Sequence, residues 1–298
     1  LIIVKLQGGL GNQMFQYAFG LSRSAELNSP LYLDLSFFAS QQTGSDVTYR
    51  EYELGLFSDK IQIANNEIIK SFTNPNRWQK VLTKLGTTKK QVYREYSLKV
   101  DREVFNLSPP VYFDGYWQSD DYFSSHERLI REAFEFRKPL NSQSQDIADT
   151  LNSQQNTVSI HIRRGDYASS ARTNELHGTC SVSYYRQAVG TIKSRLTDPH
   201  FYFFSDEPNW VKDNLIADLE NYYIVQHNTG ADSWQDMALM SQCQHHIIAN
   251  SSFSWWGAWL NPDKEKIVIA PQNWFNAKTD YFNDADIIPK NWIKIANA

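Results

Sequence analysis

An α/β fold of two Rossmann-like, doubly wound domains facing a cleft is predicted by this 298-residue sequence. Three observations predict it. The chain opens on an apolar run, a glycine turn and a helical pattern. Its second half alternates short apolar runs with helical patterns, which favours a parallel sheet with ligands at the carboxyl ends of its strands. Between the halves, residues 139–155 are polar and rich in Asn, Ser and Gln. The predicted domains are 1–150 and 151–298.

Residues 1–6 (LIIVKL) read as a strand, and QGGLG follows as a tight turn. Met14, Phe15, Tyr17, Ala18, Leu21 and Ala25 then recur at helical spacing, with Asn12 suited to cap the helix. Residues 31–34 read as a second strand. Such a unit invites a dinucleotide-binding reading, with Asp34 placed about 20 residues on for a ribose. The match fails at the third glycine position, which is Met14. Residues 40–100 are polar and show few apolar segments. Further strands are expected at 158–162, 201–204, 222–225, 246–249 and 267–270, with helices at 183–196, 209–219, 233–241 and 252–260.

A net charge of −4, with 41% hydrophobic and 21% charged residues, describes a soluble globular protein and argues against broad nucleic-acid binding. The 9 Trp, 16 Tyr and 17 Phe are core material first, and also suit sugar faces. Cys180 and Cys243 form no metal or disulfide pattern. No signal peptide or membrane span is evident, so a cytoplasmic enzyme is expected, at most peripheral to the inner membrane. Leu1 in place of Met leaves room for a missing upstream stretch, and a truncated membrane-anchored protein is the alternative.

Three carboxyl-end stretches carry the chemistry. In TVSIHIRRGDY (157–167), strand alternation puts His161 and Arg163 on one face and Arg164 on the other. Arg163 is then placed for an anionic ligand, and Arg164 for a carboxylate such as Asp166. In ANSSFSWWGAW (249–259), Asn250, Ser251 and Ser252 end a strand and begin a helix, where N–H groups and the helix dipole favour phosphate. Ser252 is equally a good N-cap, and Trp255, Trp256 and Trp259 are expected in the core. In FFSDE, Asp206 and Glu207 follow a buried strand, suited either to a base or ribose or to the first turn of a helix. Asp284-Ala285-Asp286 spells a possible metal motif but lies among loop-like residues; no metal site is expected.

GGLGNQMFQYAFG (8–20), GYWQSDDYF (115–123), HIRRGDY (161–167), FSDE (204–207) and QDMALMSQCQHHIIANSSFSWWGAWLN (235–261) together resemble the α-1,2-fucosyltransferases of glycosyltransferase family 11. Residues 40–100 carry little of the resemblance. It implies a GT-B enzyme that needs no metal or other cofactor. Such an enzyme transfers L-fucose with inversion from GDP-L-fucose to the 2-hydroxyl of a galactose-terminated oligosaccharide. The donor would bind mainly to the second domain, and the acceptor would sit against the first. By the same resemblance Arg163 would hold the β-phosphate, His161 would line the donor site, and Ser251, Ser252 and Phe253 would meet the diphosphate. Asp206 and Glu207 would face guanosine, Asn250, Gly9 and Gly11 would complete the donor set, and Asn12 and Gln13 would approach the reacting centre. The base stays open among Asp166, Asp34 and His177, or a dissociative displacement without a strong base. The rival readings are a catalytically silent glycan- or nucleotide-binding protein on this fold, and the NAD oxidoreductase.

Overall fold

The computed structural model describes residues 1–41, 49–74, 90–165, 171–276 and 279–297, with backbone alone at 171–173. The chain divides into two compact units: Leu1–Arg137 with Asp280–Ile287, and Lys138–Thr279 with Ile288–Ala298.

Unit one contains β1 (Ile2–Lys5), α1 (Leu10–Leu27), β2 (Leu31–Asp34), α2 (Ser36–Ser40), α3 (Asn66–Thr73), β3 (Gln91–Arg94), β4 (Val111–Asp114) and α4 (Glu127–Ala133). Its sheet is parallel throughout, in the order β2-β1-β4-β3. Helix α1 buries Met14, Phe15, Ala18 and Phe19 along one face, and Phe19 stacks on Trp117 at 4.3 Å between centroids. Arg23, fully buried on the same helix, pairs with Glu26 and donates to the carbonyls of Phe105 (3.2 Å) and Leu107 (3.1 Å). Asn28 ends the helix in the left-handed region at φ 44°, as Asn tolerates.

Strands β3 and β4 have no counterpart in the sequence reading. Strand β3 alternates half-buried and exposed positions at the sheet edge, and β4 follows directly on Pro109-Pro110.

Unit two contains α5 (Ser142–Ser153), β5 (Thr157–Ile162), α6 (Ala171–His177), α7 (Val182–Lys193), β6 (His200–Ser205), α8 (Pro208–Asn214), β7 (Tyr222–Val225), α9 (Trp234–Gln242), β8 (His245–Ile247), α10 (Ser252–Leu260), β9 (Val268–Pro271) and β10 (Ile293–Ile295). Its six parallel strands run β10-β9-β8-β5-β6-β7. The chain therefore starts in the middle, winds outward through β6 and β7, then crosses back to β8 on the other side of β5. That order is the dinucleotide-fold order, and its reversal lies between β5 and β8, where doubly wound sheets bind ligands. Val158, Ile160 and Ile162 enter one core cluster with Tyr184, Tyr185 and Ala188 of α7.

The polar segment around 150 is not a linker. Asn141 caps α5 by accepting from Ser144 N–H, and Ile147, Ala148 and Leu151 are buried, so this helix belongs to unit two and the division falls at Arg137. Trp255, Trp256 and Trp259 lie in the core, with Trp255 packed 5.5 Å from Trp292. Lys266 Nζ donates to the carbonyls of Ala258, Trp259 and Asn261, closing the α10 C-terminus with a cation. Among the described residues no helix is long and apolar enough to cross a membrane.

Candidate functional site

In unit two the sheet order sets three strand ends side by side: β8, then β5, then β6. Their continuations carry Asn250 to Ser252, His161 to Arg164, and Ser205 to Glu207. His161 faces away from the α7 cluster, as alternation requires. It is buried, with its ring 5.8 Å from that of Phe253 on α10, and among the described residues its Nδ1 has no hydrogen-bond partner. Burial, and then the Arg163 charge, push its pKa down to about 3, so the ring is neutral. The sign for stability follows from proton counting. The unfolded chain binds this proton below pH 6.5 and the folded chain does not, so stability held above pH 6.5 is lost as pH falls toward 3. His161→Phe should show a shallower loss of unfolding free energy over that window than the unaltered protein, read by urea titrations at each pH. Identical pH slopes would rule the burial argument out.

The two arginines each find an acid just past the end of β6. Arg163 Nη1 lies 2.9 Å from Asp206 Oδ2, while Arg164 Nε donates to Glu207 Oε2 at 3.1 Å and its guanidinium lies 4.4 Å over the Trp210 ring. Arg164 was expected on Asp166, which lies outside the described residues. The partner found is Glu207, because β5 and β6 are register neighbours with Ile162 opposite Ser205. Asp206 also accepts from Arg164 N–H at 3.0 Å and packs on Gly165, where a Cβ would come within 2.7 Å of its Oδ2. Both acids expected to face a nucleotide base are thus engaged with the arginine turn.

Helix α10 begins at Ser252 after the N-cap Ser251, which makes no side-chain capping bond. No acidic residue sits in the first turn, so no acid on the helix itself offsets its positive end. Ser251 is nearly buried, while Ser252 and Phe253 are half-buried. Asn250 differs from them. It is 1% exposed, its amide nitrogen donates to the carbonyls of His177 (2.8 Å), Gly178 (3.2 Å) and Trp274 (3.3 Å), and its oxygen accepts from Cys180 Sγ. Its side chain is a clamp between loops, contrary to the ligand-binding expectation.

In unit one the sheet reverses between β1 and β4, and two conspicuous turns meet there. Helix α1 starts at Leu10 with Gly9 as its N-cap, so Asn12 lies inside the first turn and does not cap it. Gly8 has φ 80°, and a Cβ there would lie 2.5 Å from Asn12 Nδ2. Gly9 leaves room for Arg50, whose Nη1 would be 3.3 Å from a Cβ; Gly11 is buried within the helix. Asn12 Oδ1 accepts from Gln118 Nε2 at 2.8 Å, joining the β1 turn to the GYWQ turn after β4. Gln13 is fully buried: it donates to the carbonyls of Gly8 (3.0 Å) and Glu51 (2.7 Å) and accepts from Glu53 N–H (2.9 Å). It holds residues 51–53 against the helix and has no exposed surface to offer a substrate.

Asp34 is fully buried, accepting from Tyr112 Oη (2.5 Å) and Ser36 N–H (2.7 Å), which removes it both as a ribose ligand and as a base. With Met14 packed in the core, the NAD reading loses its support. His177 lies with its ring 5.3 Å from that of Phe275, the planes tilted by 42°. Asp286 Oδ2 accepts from Val100 N–H, so the DAD stretch ties Asp280–Ile287 into unit one.

Two residues at this edge were not anticipated. Glu95, directly after β3, accepts from Tyr116 N–H (2.7 Å) and Trp117 N–H (3.1 Å) and holds the turn in which Trp117 adopts φ 56°. Its burial pushes its pKa up to about 7. Gln118 is the partner that orients Asn12. The signal for both was GYWQ itself, an aromatic-polar turn whose anchoring group lies about 20 residues upstream.

The arrangement in unit two is chemically an anion cradle: a helix N-terminus with hydroxyls beside an arginine, at the reversal of a parallel sheet. The glycosyl transferase family 11 model matches residues 1–296 of the chain. The chain is 35% identical over 309 residues to the alpha-1,2-colitosyltransferase of Escherichia coli, covering 99% of both proteins. It is 32% identical over 309 residues to the O-antigen biosynthesis glycosyltransferase WbnK of Escherichia coli, covering 97% of this chain and 99% of that one. A shorter likeness of 26% over 177 residues links it to galactoside alpha-(1,2)-fucosyltransferase 1 of Leontocebus fuscicollis, covering 56% of this chain and 48% of that protein. With its whole length matched by one family model and by two full-length relatives, the chain belongs to glycosyl transferase family 11.

Proposed function

We propose that this glycosyltransferase moves a 6-deoxyhexose, L-fucose foremost, from its GDP-linked donor to the 2-hydroxyl of a terminal galactoside, with inversion to an α-1,2 linkage. The observation that carries the reading is the placement of Arg163 and the α10 N-terminus after neighbouring strands, at the reversal between β5 and β8. Charge grows on the diphosphate as the sugar bond breaks. Preorganised donors that meet it there act on the transition state more than on the ground state. In this reading the Arg163 guanidinium, whose Nη1 is directed at Asp206 in this structure, meets the β-phosphate. Ser251, Ser252 and the N–H groups of the first turn meet the other oxygens, and neutral His161 lines the floor without adding charge. Asn12, oriented by Gln118, serves the reacting centre from unit one. The names of the relatives in Escherichia coli and Leontocebus fuscicollis support the α-1,2 linkage.

The 35% relative favours a second donor, GDP-colitose, whose sugar lacks the 3-hydroxyl of fucose. A site built to hydrogen-bond that hydroxyl rejects the analogue lacking it by large factors, whereas one without such a partner does not. Thermal-shift titration should show GDP stabilising the fold and NAD leaving it unmoved. Coupled assays with GDP-fucose and GDP-colitose on a panel of galactosides should show transfer with one donor strongly preferred. The rate should persist in EDTA, since arginine and helix amides supply the positive charge. No response to millimolar GDP would defeat the proposal, and bound GDP without turnover of either donor would favour the non-catalytic rival.

A further inference from the structure

A cavity of about 370 Å³ lies within unit two, between helix α5 and the edge of the sheet at β6 and β7. Helix α5 presents Gln143, Asp146, Ile147 and Thr150 to it, positions spaced by three, one and three, which is one face of a helix. The sheet presents Tyr202 and Tyr223. These two are register partners on adjacent strands, with ring centroids 6.1 Å apart and planes tilted by 41°. Tyr202 is fixed from behind by its hydroxyl on Gln154 Oε1, whereas Tyr223, on the edge strand, is 48% exposed. A half-exposed aromatic ring beside a second, locked ring is a platform for an apolar ligand face.

Three of the polar groups around this platform are unspent. Among the described residues, the Gln143 amide, the Asp146 carboxylate and the Tyr223 hydroxyl make no hydrogen bond. His227 closes one end of the cavity with its Nε2 3.0 Å from Ser144 Oγ. That hydroxyl donates to Asn228 Oδ1, so His227 Nε2 is the donor to it and Nδ1 is left as an acceptor. The cavity thus combines two rings, one carboxylate, one amide and one hydroxyl in a volume typical of small-molecule sites (about 300–1,000 Å³). A single carboxylate disfavours phosphates and acidic sugars, and a simple cation would leave the amide and hydroxyl donors idle. A neutral sugar uses every group: C–H faces on the rings, and hydroxyls that both donate and accept.

We infer that this cavity is an anchoring subsite for a neutral glycan chain, engaging sugar units of the acceptor remote from the galactose that is modified. The inference rests on the reading of the acceptor as a galactose-terminated glycan. It is tested on the full chain with lactose as a short acceptor and a poly-N-acetyllactosamine hexasaccharide as a long one. In hydrogen–deuterium exchange the hexasaccharide should protect peptides covering 143–150 and 222–227, and Tyr223→Ala and Asp146→Asn should each abolish that protection. In kinetics with either variant, KM for the hexasaccharide should rise about fivefold, the factor one aromatic or polar contact supplies, with kcat and KM for lactose unchanged. No protection in the unaltered protein, or protection that survives in both variants, overturns the subsite. Equal shifts in KM for both acceptors also overturn it. Protection without any transfer from GDP-fucose leaves the subsite standing and counts against the proposed reaction instead.

Discussion

Arg163→Ala lowers transfer by about 10²–10³-fold, the usual cost of removing one preorganised donor from a developing oxyanion. Most of that loss falls on kcat, because the guanidinium is asked to meet charge that appears only as GDP departs. Arg164→Ala has a different expected signature. Its side chain is committed to Glu207 and to the Trp210 ring, so the loss is on the order of 1 kcal/mol of stability with turnover largely kept. The pair of variants separates the two cations that stand side by side in the sequence. Near-normal turnover in Arg163→Ala would dismiss its assignment, as would a collapse of kcat in Arg164→Ala at full stability. Asp206→Asn adds a control: it weakens the acid that orients both residues, so it should impair turnover less than loss of Arg163 itself.

Asn250→Ala carries the largest expected effect on the fold. Its buried amide satisfies three carbonyls from residues 177, 178 and 274 and accepts from the Cys180 thiol. Truncation leaves buried carbonyls without donors in a site that water reaches poorly, at a cost on the order of 3 kcal/mol. Urea denaturation should show a lower midpoint with an unchanged m-value. GDP affinity per folded molecule should be nearly preserved. A variant of full stability that no longer binds GDP would instead make Asn250 a direct ligand contact.

Much of unit two was legible because its signals are local. Val158, Ile160 and Ile162 alternate with Ser159 and His161, and that alone set the direction of His161. Ser252 and the Trp-rich stretch after it announced α10 and its open N-terminus. The partners of Arg163 and Arg164 were not legible, since they depend on β6 lying beside β5, a non-local pairing. Nor does residue type distinguish an amide that faces a ligand from one that clamps backbone. Gln13 and Asn250 sit in the motifs that suggested a site, yet both turn inward. Strands β3 and β4 escaped notice, β3 as a half-exposed edge strand and β4 as a short run directly behind Pro109-Pro110, and with them went Glu95 and the turn it holds.

The chain passes from one unit to the other after Arg137, Thr279 and Ile287. A ribosome therefore releases neither half as a finished module. Unit one waits for Asp280–Ile287, which contributes Asp286 to Val100, and unit two waits longer still for β10, the last strand of its sheet. Both cores therefore close only once the residues beyond 279 have been made, so nascent chains halted before residue 280 leave each of them incomplete. Loss of residues 280–297 should accordingly injure unit one as well as unit two.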